Sequence, residues 1–221
     1  MKRFYVALGI VCAGGVAWLA YSALHKPEQG LGPNAPVPVA VADGFKGFTL
    51  GSDSAPIEIT EYSDFECPWC AAFAAVQMPV VREQLIATDK VRWRYREFPL
   101  SVHKYSRLAA LAGECAGEQG KFWEMHDLMF GEHQWADANT DPTGVFHGFA
   151  QQLGLDLTKY EACVSTQKYA GRIETSYEEG EARGVQGTPT FFVDGRKYQG
   201  RATSDALKAL VDSVITARHA H

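Results

Sequence analysis

Two alternating runs bracket a helix-forming stretch in this 221-residue chain, and together they restrict the folds open to it. Ile57-Glu58-Ile59-Thr60-Glu61-Tyr62 alternates apolar and polar side chains and is rich in β-branched residues, the period-two pattern of a strand. Val91 to Phe98 alternates in the same way and is the clearest strand in the sequence. Between them, residues 71–86 are rich in helix formers. Pro79 lacks an N–H and crowds the preceding turn, so it is expected to kink or split that helix. Strand, helix, strand in this order predicts a parallel, right-handed βαβ unit.

The middle of the chain changes character. From residue 101 to about 184 the pattern is helical. Leu108, Leu111, Ala112 and Cys115 fall on one helix face; Phe122, Met125, Leu128 and Met129 fall on a second. Trp123, Asp127 and Trp135 read as packing and solvent-facing residues. Residues 156–163 form a further helix with Asp156 near its cap, and residues 168–182 a last one. The chain then returns to sheet. Thr190 to Val193 and Arg196 to Tyr198 are separated by Asp194-Gly195, a strong hairpin signal. An amphipathic helix over 206–217 closes the sequence. The expected fold class is α/β: a central β-sheet flanked by helices, with an all-α subdomain inserted at about 101–184. A hydrophobic content of 46% is enough to build one such domain.

The first 25 residues differ from the rest. Lys2 and Arg3 precede an uncharged run from Phe4 to Leu24. At about 1.5 Å per residue such a run spans a bilayer core of about 30 Å. The positive start would stay in the cytoplasm, with the remainder outside. A cleaved signal peptide competes with this membrane anchor, since Ala20-Tyr21-Ser22 is a passable cleavage site. Cys12 invites a lipoprotein reading, although Gly9-Ile10-Val11 before it lacks the expected small residue next to the cysteine. All three readings export the domain. Residues 26–44 contain four prolines and are expected to form an extended linker, leaving the folded domain at 45–217. The formal net charge of -5 gives no support for a nucleic-acid partner, which would want a basic stripe.

Five cysteines carry the chemistry. Cys12 lies in the apolar run. Cys115 and Cys163 form an even pair in an exported domain, so they are either a structural disulfide or two buried thiols. Cys67-Pro68-Trp69-Cys70 is a Cys-x-x-Cys that joins the first strand to the helix after it. It lacks the second knuckle that structural zinc requires, and His126, His133 and His147 have no ligand spacing, so no metal is expected. A static disulfide stays open, but the position argues for reactivity. The first cysteine at a helix N-terminus meets unpaired N–H groups and the positive end of the helix dipole, which favour the thiolate. Cys67 is therefore expected to be the exposed nucleophile. Cys70, one turn along, is expected to be the shielded resolving cysteine. Pro68 fits the first helical turn.

Cys67-Pro68-Trp69-Cys70 after a strand, with Gly187-Thr188-Pro189-Thr190 opening a later one, resembles the thioredoxin superfamily. "EYSDFECPWC", "REFPL", "AGECAGEQGKFWEMHDLMF" and "GVQGTPTFFVDG" are similar to recurring segments of its DsbA-like branch, the exported thiol-disulfide oxidoreductases with a helical insertion. The resemblance implies that Pro189 is a cis-proline against the two cysteines. The backbone of Thr188 would then pair with a substrate peptide. It also implies that Glu61 is a buried acid handling the proton of Cys70; a solvent-facing strand residue is the plainer reading of the same glutamate. Asp64 and Glu66 read as turn and helix-start residues, with Glu66 slightly opposing thiolate formation at Cys67. Pro68, Trp69 and Thr188 are candidate substrate contacts, although Trp69 could simply cover the disulfide.

The resemblance implies a donor of disulfides to secreted proteins that are unfolded or partly folded. A membrane redox partner would reoxidise the Cys67–Cys70 disulfide, and no cofactor is implied. A reductase or isomerase is the rival enzyme, since Thr188 is threonine in some reducing relatives. A chaperone that binds extended chains, with incidental cysteines, is the non-enzymatic alternative.

Overall fold

The structure is a computed structural model that describes residues 44–137 and 140–219. The chain divides into Met1–Gly32 and Pro33–His221, and every described residue lies in the second unit. The segment 1–25, Cys12 included, and the linker 26–44 apart from Gly44 fall outside the described residues. Among the described residues no helix is long and apolar enough to cross a membrane.

The expected βαβ unit is present. Strand β2 (Ile57–Ser63) runs parallel to β3 (Val91–Glu97), with Ile59 beside Trp93, Glu61 beside Tyr95 and Ser63 beside Glu97. The short strand β1 (Phe48–Leu50) pairs antiparallel with the outer side of β3. On the other side of β2 lies antiparallel β4 (Thr190–Val193), then β5 (Arg196–Lys197) across the expected Asp194-Gly195 turn, giving the order β1-β3-β2-β4-β5.

Both faces of this sheet are covered, so its central strands are buried along most of their length. On one face Ile57, Ile59, Val91, Trp93, Phe191 and Val193 pack under three helical pieces. These are α1 (Pro68–Val76), α2 (Met78–Val81) with the π-helical turn Arg82–Ile86, and the closing helix α8 (Ser204–His219). Phe73 of α1 sits between Trp93 and Phe191, with ring centroids 5.9 and 4.7 Å away. Truncating such a residue to alanine costs about 3–5 kcal/mol. The helix starts at Pro68, the residue expected in its first turn, and breaks at Gln77, two residues before Pro79. A proline there cannot donate to the preceding turn, so the backbone regroups as a short helix and a wide turn.

The inserted block comprises α3 (Ser106–Gly117), α4 (Phe122–Gly131), a 3-10 turn His133–Trp135, α5 (Thr143–Gln152), α6 (Leu157–Ser165) and α7 (Ala170–Ala182). Asp156 caps α6 as expected, accepting from the N–H of Lys159 at 3.1 Å. A disulfide joins Cys115 of α3 to Cys163 of α6. Phe65 and Tyr95, whose rings lie 5.3 Å apart, connect this core to the sheet. Helix α7 covers the second sheet face through Tyr62, Phe98 and Phe192. Gly180 permits this close approach, because a Cβ there would lie 2.6 Å from the Phe98 ring.

Candidate active site

Cys67 is the N-cap of α1, in extended conformation, and Pro68 is the first helical residue. The strand before it ends at Ser63, and the N–H of Cys67 donates to the Asp64 carbonyl at 3.0 Å, tightening the turn between strand and helix. The thiol of Cys67 lies 3.4 Å from the Thr188 carbonyl oxygen, and the Thr188–Pro189 peptide bond is cis. Residues more than a hundred positions apart are therefore one site, brought together because β4 pairs with β2.

The two sulfurs differ in acidity. The Cys67 thiol is lowered from 9.0 to about 6, chiefly by a hydrogen bond from Cys70. Burial opposes this, while the Thr188 side chain and the N–H groups of Cys70 and Trp69 favour the anion. Cys70 is pushed well above 9.0, first by burial and then by the neighbouring Cys67 sulfur. The direction expected for the pair is present, but the expected exposure is not. Cys67 is only 3% exposed and Cys70 0%. The Cys67 sulfur turns beneath the Thr188 carbonyl and into the apolar cluster that includes Phe65. What faces solvent is Trp69, 74% exposed, together with Pro68.

Glu61 is buried rather than solvent-facing. Burial raises its carboxyl from 4.5 to about 7, while the indole N–H of Trp93, donating to Oε2 at 3.1 Å, favours the anion. Charge on Glu61 in turn raises Cys70. A carboxyl half-ionised near neutrality beside a high-pKa thiol can exchange a proton with it.

Asp64 and Glu66 do more than form a turn. The buried Asp64 carboxylate accepts hydrogen bonds from the N–H groups of Glu66 and Leu100 (both 2.9 Å) and from the Ser106 hydroxyl (2.8 Å). His103 Nδ1 lies 2.7 Å from Oδ2, the oxygen that also takes the Leu100 and Ser106 bonds, and this hydrogen bond raises the imidazole pKa. Glu66 accepts from the N–H groups of Lys104 and Tyr105, satisfying the open start of α3. These two acids fasten the active-site turn to the 98–106 loop. Trp93 and His103 were not foreseen, nor were Ser63, Tyr95 and Glu97. Trp93, Tyr95 and Glu97 occupy alternate positions of β3 on its buried face, so strand parity alone could have flagged them.

The family model described as Thioredoxin matches residues 45–213. In the Wolbachia pipientis alpha-DsbA1 crystal structure, 21% identical, the match covers 75% of this chain and 88% of that one with a TM-score of 0.64. A thioredoxin-like oxidoreductase from Silicibacter pomeroyi DSS-3 is 26% identical, with 76% and 92% covered and a TM-score of 0.62. The chain is also 39% identical over 166 residues to the Na(+)/H(+) antiporter NhaA 3 of Salinispora tropica. That match takes in 75% of this chain but 24% of the antiporter, so the chain spans about a quarter of that relative's length. The sheet order, the Cys-x-x-Cys at a helix start and the inserted helical block agree with these likenesses: the chain belongs to the thioredoxin family, with the DsbA-like form of its fold.

Proposed function

We propose that the chain is an exported protein thiol-disulfide oxidoreductase that introduces disulfides into extracytoplasmic proteins. Cys67 and Cys70 carry the exchange. A substrate thiolate attacks the Cys67 sulfur of the Cys67–Cys70 disulfide, forming a mixed disulfide and expelling Cys70 with the electron pair. A second substrate thiolate then attacks the mixed disulfide, closing the substrate disulfide and leaving both active-site cysteines reduced. A membrane redox partner accepts these two electrons. The segment 1–25 keeps the domain at the membrane, as an anchor or through a signal that is removed.

The observation that carries this reading is the opposed acidity of the two thiols, about 6 for Cys67 against a strongly raised Cys70. A thiolate stabilised at Cys67 stabilises the reduced pair, and that makes the disulfide the better oxidant. Trp69 offers an exposed ring over a cleft shared with Pro189 and Thr190, where an extended peptide finds both the ring and the backbone at Thr188. Glu61 serves as the proton acceptor and donor for Cys70.

Rapid acid quenching of cells followed by alkylation tests the direction of transfer. The reading predicts Cys67 and Cys70 mostly oxidised at steady state; a mostly reduced pair would identify a reductase or isomerase instead. Cys70→Ala is expected to accumulate mixed disulfides with exported proteins through Cys67. If it accumulated none, the assigned roles would fall.

A further inference from the structure

The buried sheet face beneath Cys70 changes character along its length. At one end Ile57, Ile59, Val91 and Trp93 form an apolar floor. Two residues on, the same face carries Glu61 and Ser63 on β2 beside Tyr95 and Glu97 on β3. Ser63 is 0% exposed, Tyr95 0% and Glu97 4%. The Ser63 hydroxyl, the Tyr95 hydroxyl and Glu97 Oε1 are buried without a hydrogen-bond partner in the protein. Buried polar atoms are rarely left without a partner, and three on neighbouring positions of two paired strands is a concentration that packing alone does not account for.

We propose that Ser63, Tyr95 and Glu97 are positioning residues that form a buried proton path to Cys70, with Glu97 as its store. This rests on the exchange reading above and adds a branch beyond Glu61. When Cys70 leaves the Cys67–Cys70 disulfide as a thiolate, a proton passes from the Glu97 carboxyl to the Tyr95 hydroxyl. From there it passes through the Ser63 hydroxyl to the Cys70 sulfur, and Glu97 is left as the carboxylate. When Cys70 attacks a mixed disulfide at Cys67, the proton returns and the partner sulfur departs with the electron pair. Hydroxyl groups suit such a path because each both donates and accepts. None of these three side-chain atoms bonds directly to a protein group among the described residues, so buried water between them would carry the proton across the gaps.

The electrostatics run the same way. Burial, then the charges of Glu114 and Asp64, raise Glu97 well above its ordinary value, only partly offset by Arg96. Glu97 therefore holds its proton more tightly than an ordinary carboxyl and can pass it to a stronger base such as a buried thiolate. The Ser63 hydroxyl favours the anions of Glu61, Cys70 and Tyr95 alike, so it neighbours all three. The titratable groups around the path are Glu61 on β2, Arg96 on β3, Asp64 in the active-site turn, Cys70 on α1 and Glu114 on α3.

Stopped-flow reaction of the reduced protein with a model disulfide peptide separates the attack of Cys67 from the resolving attack of Cys70. Tyr95→Phe, Glu97→Gln and Ser63→Ala are expected to slow resolution about tenfold or more at pH 7, since positioned proton transfer is worth about 10²–10⁴-fold in full. Attack by Cys67 should stay at the wild-type rate, which also shows that each variant is folded. Resolution in the variants should recover with rising pH, as hydroxide replaces the path. Resolution within twofold of wild type in Tyr95→Phe and Glu97→Gln overturns the path while leaving the exchange reading intact. A wild-type protein that never forms the mixed disulfide overturns both.

Discussion

The chain holds two cysteine pairs in its described residues, and they have opposite fates. Cys115 and Cys163 are bonded to each other inside the helical block, among apolar neighbours such as Ala112, Phe149 and Tyr160. Cys67 and Cys70 are free thiols at a strand-to-helix junction, surrounded by N–H groups, the Thr188 carbonyl and the Glu61 carboxyl. Neither pair is exposed, so access does not separate them. Polarity does. An apolar site gives a sulfur nothing with which to hold a charge, whereas a helix start gives it several donors. On the proposed reading, this is why one pair is a staple and the other a reagent.

Removing the reagent should have the largest effect. Cys67→Ser is expected to abolish exchange, by at least about 10³-fold, because the remaining groups then have no nucleophile to assist. An insulin-reduction or peptide-oxidation assay reads this directly. The paired change Cys115→Ala with Cys163→Ala should leave exchange rates unaltered but cost stability. The bond closes a separation of 48 residues, for which chain entropy gives about 4 kcal/mol. Urea unfolding of the variant measures it, and a loss of exchange without a loss of stability would erase the distinction between the pairs.

Glu61 extends the contrast to pH. Its carboxyl is neutral in folded and unfolded chains below about pH 4.5, and above that the unfolded chain ionises first. The folded protein keeps its proton until about pH 7, so the stability contribution of Glu61 is lost as pH rises through that window. The full loss is about 3 kcal/mol. Glu61→Gln should therefore gain up to that amount on the wild type at pH 8 and little at pH 4, seen as a flatter dependence of the urea midpoint on pH. An unchanged profile would show that Glu61 is not the buried acid it appears in the fold. The smallest stability effect is expected for Trp69→Ala. At 74% exposure the ring supports little packing, and the change should be within about 0.5 kcal/mol, while exchange with peptide substrates slows.

Much of this was legible in the sequence because the signals were local. Strand parity marked Ile57 to Tyr62 and Val91 to Phe98, and Asp194-Gly195 marked the hairpin. Cys-Pro-Trp-Cys after a strand located the helix start and the ranking of the two sulfurs. What escaped was set by contacts distant along the chain. Strand β1 is three residues long, too short to alternate, and is fixed by pairing to Tyr95 and Arg94 and by the stacking of Phe48 on Phe122 at 3.7 Å. The burial of Cys67 follows from how the Thr188 segment folds over it, which spacing does not encode. The work of Asp64 became visible only once the 98–106 loop was seen to close on it. Glu97 escaped for another reason: a glutamate in an alternating strand reads as its solvent face, yet parity with Trp93 and Tyr95 places it on the buried one.

The asymmetry of Cys67 and Cys70 is tested most directly by the ionisation of the thiols themselves. The reduced protein would be alkylated rapidly across pH 4–10, with the modified cysteine identified by mass spectrometry. The expected result is modification of Cys67 with a midpoint near pH 6, reaction of Cys70 only at clearly higher pH than Cys67, and none of the bonded Cys115 and Cys163. A midpoint near 9, or equal modification of Cys67 and Cys70, would contradict the assignment of nucleophile and resolving cysteine.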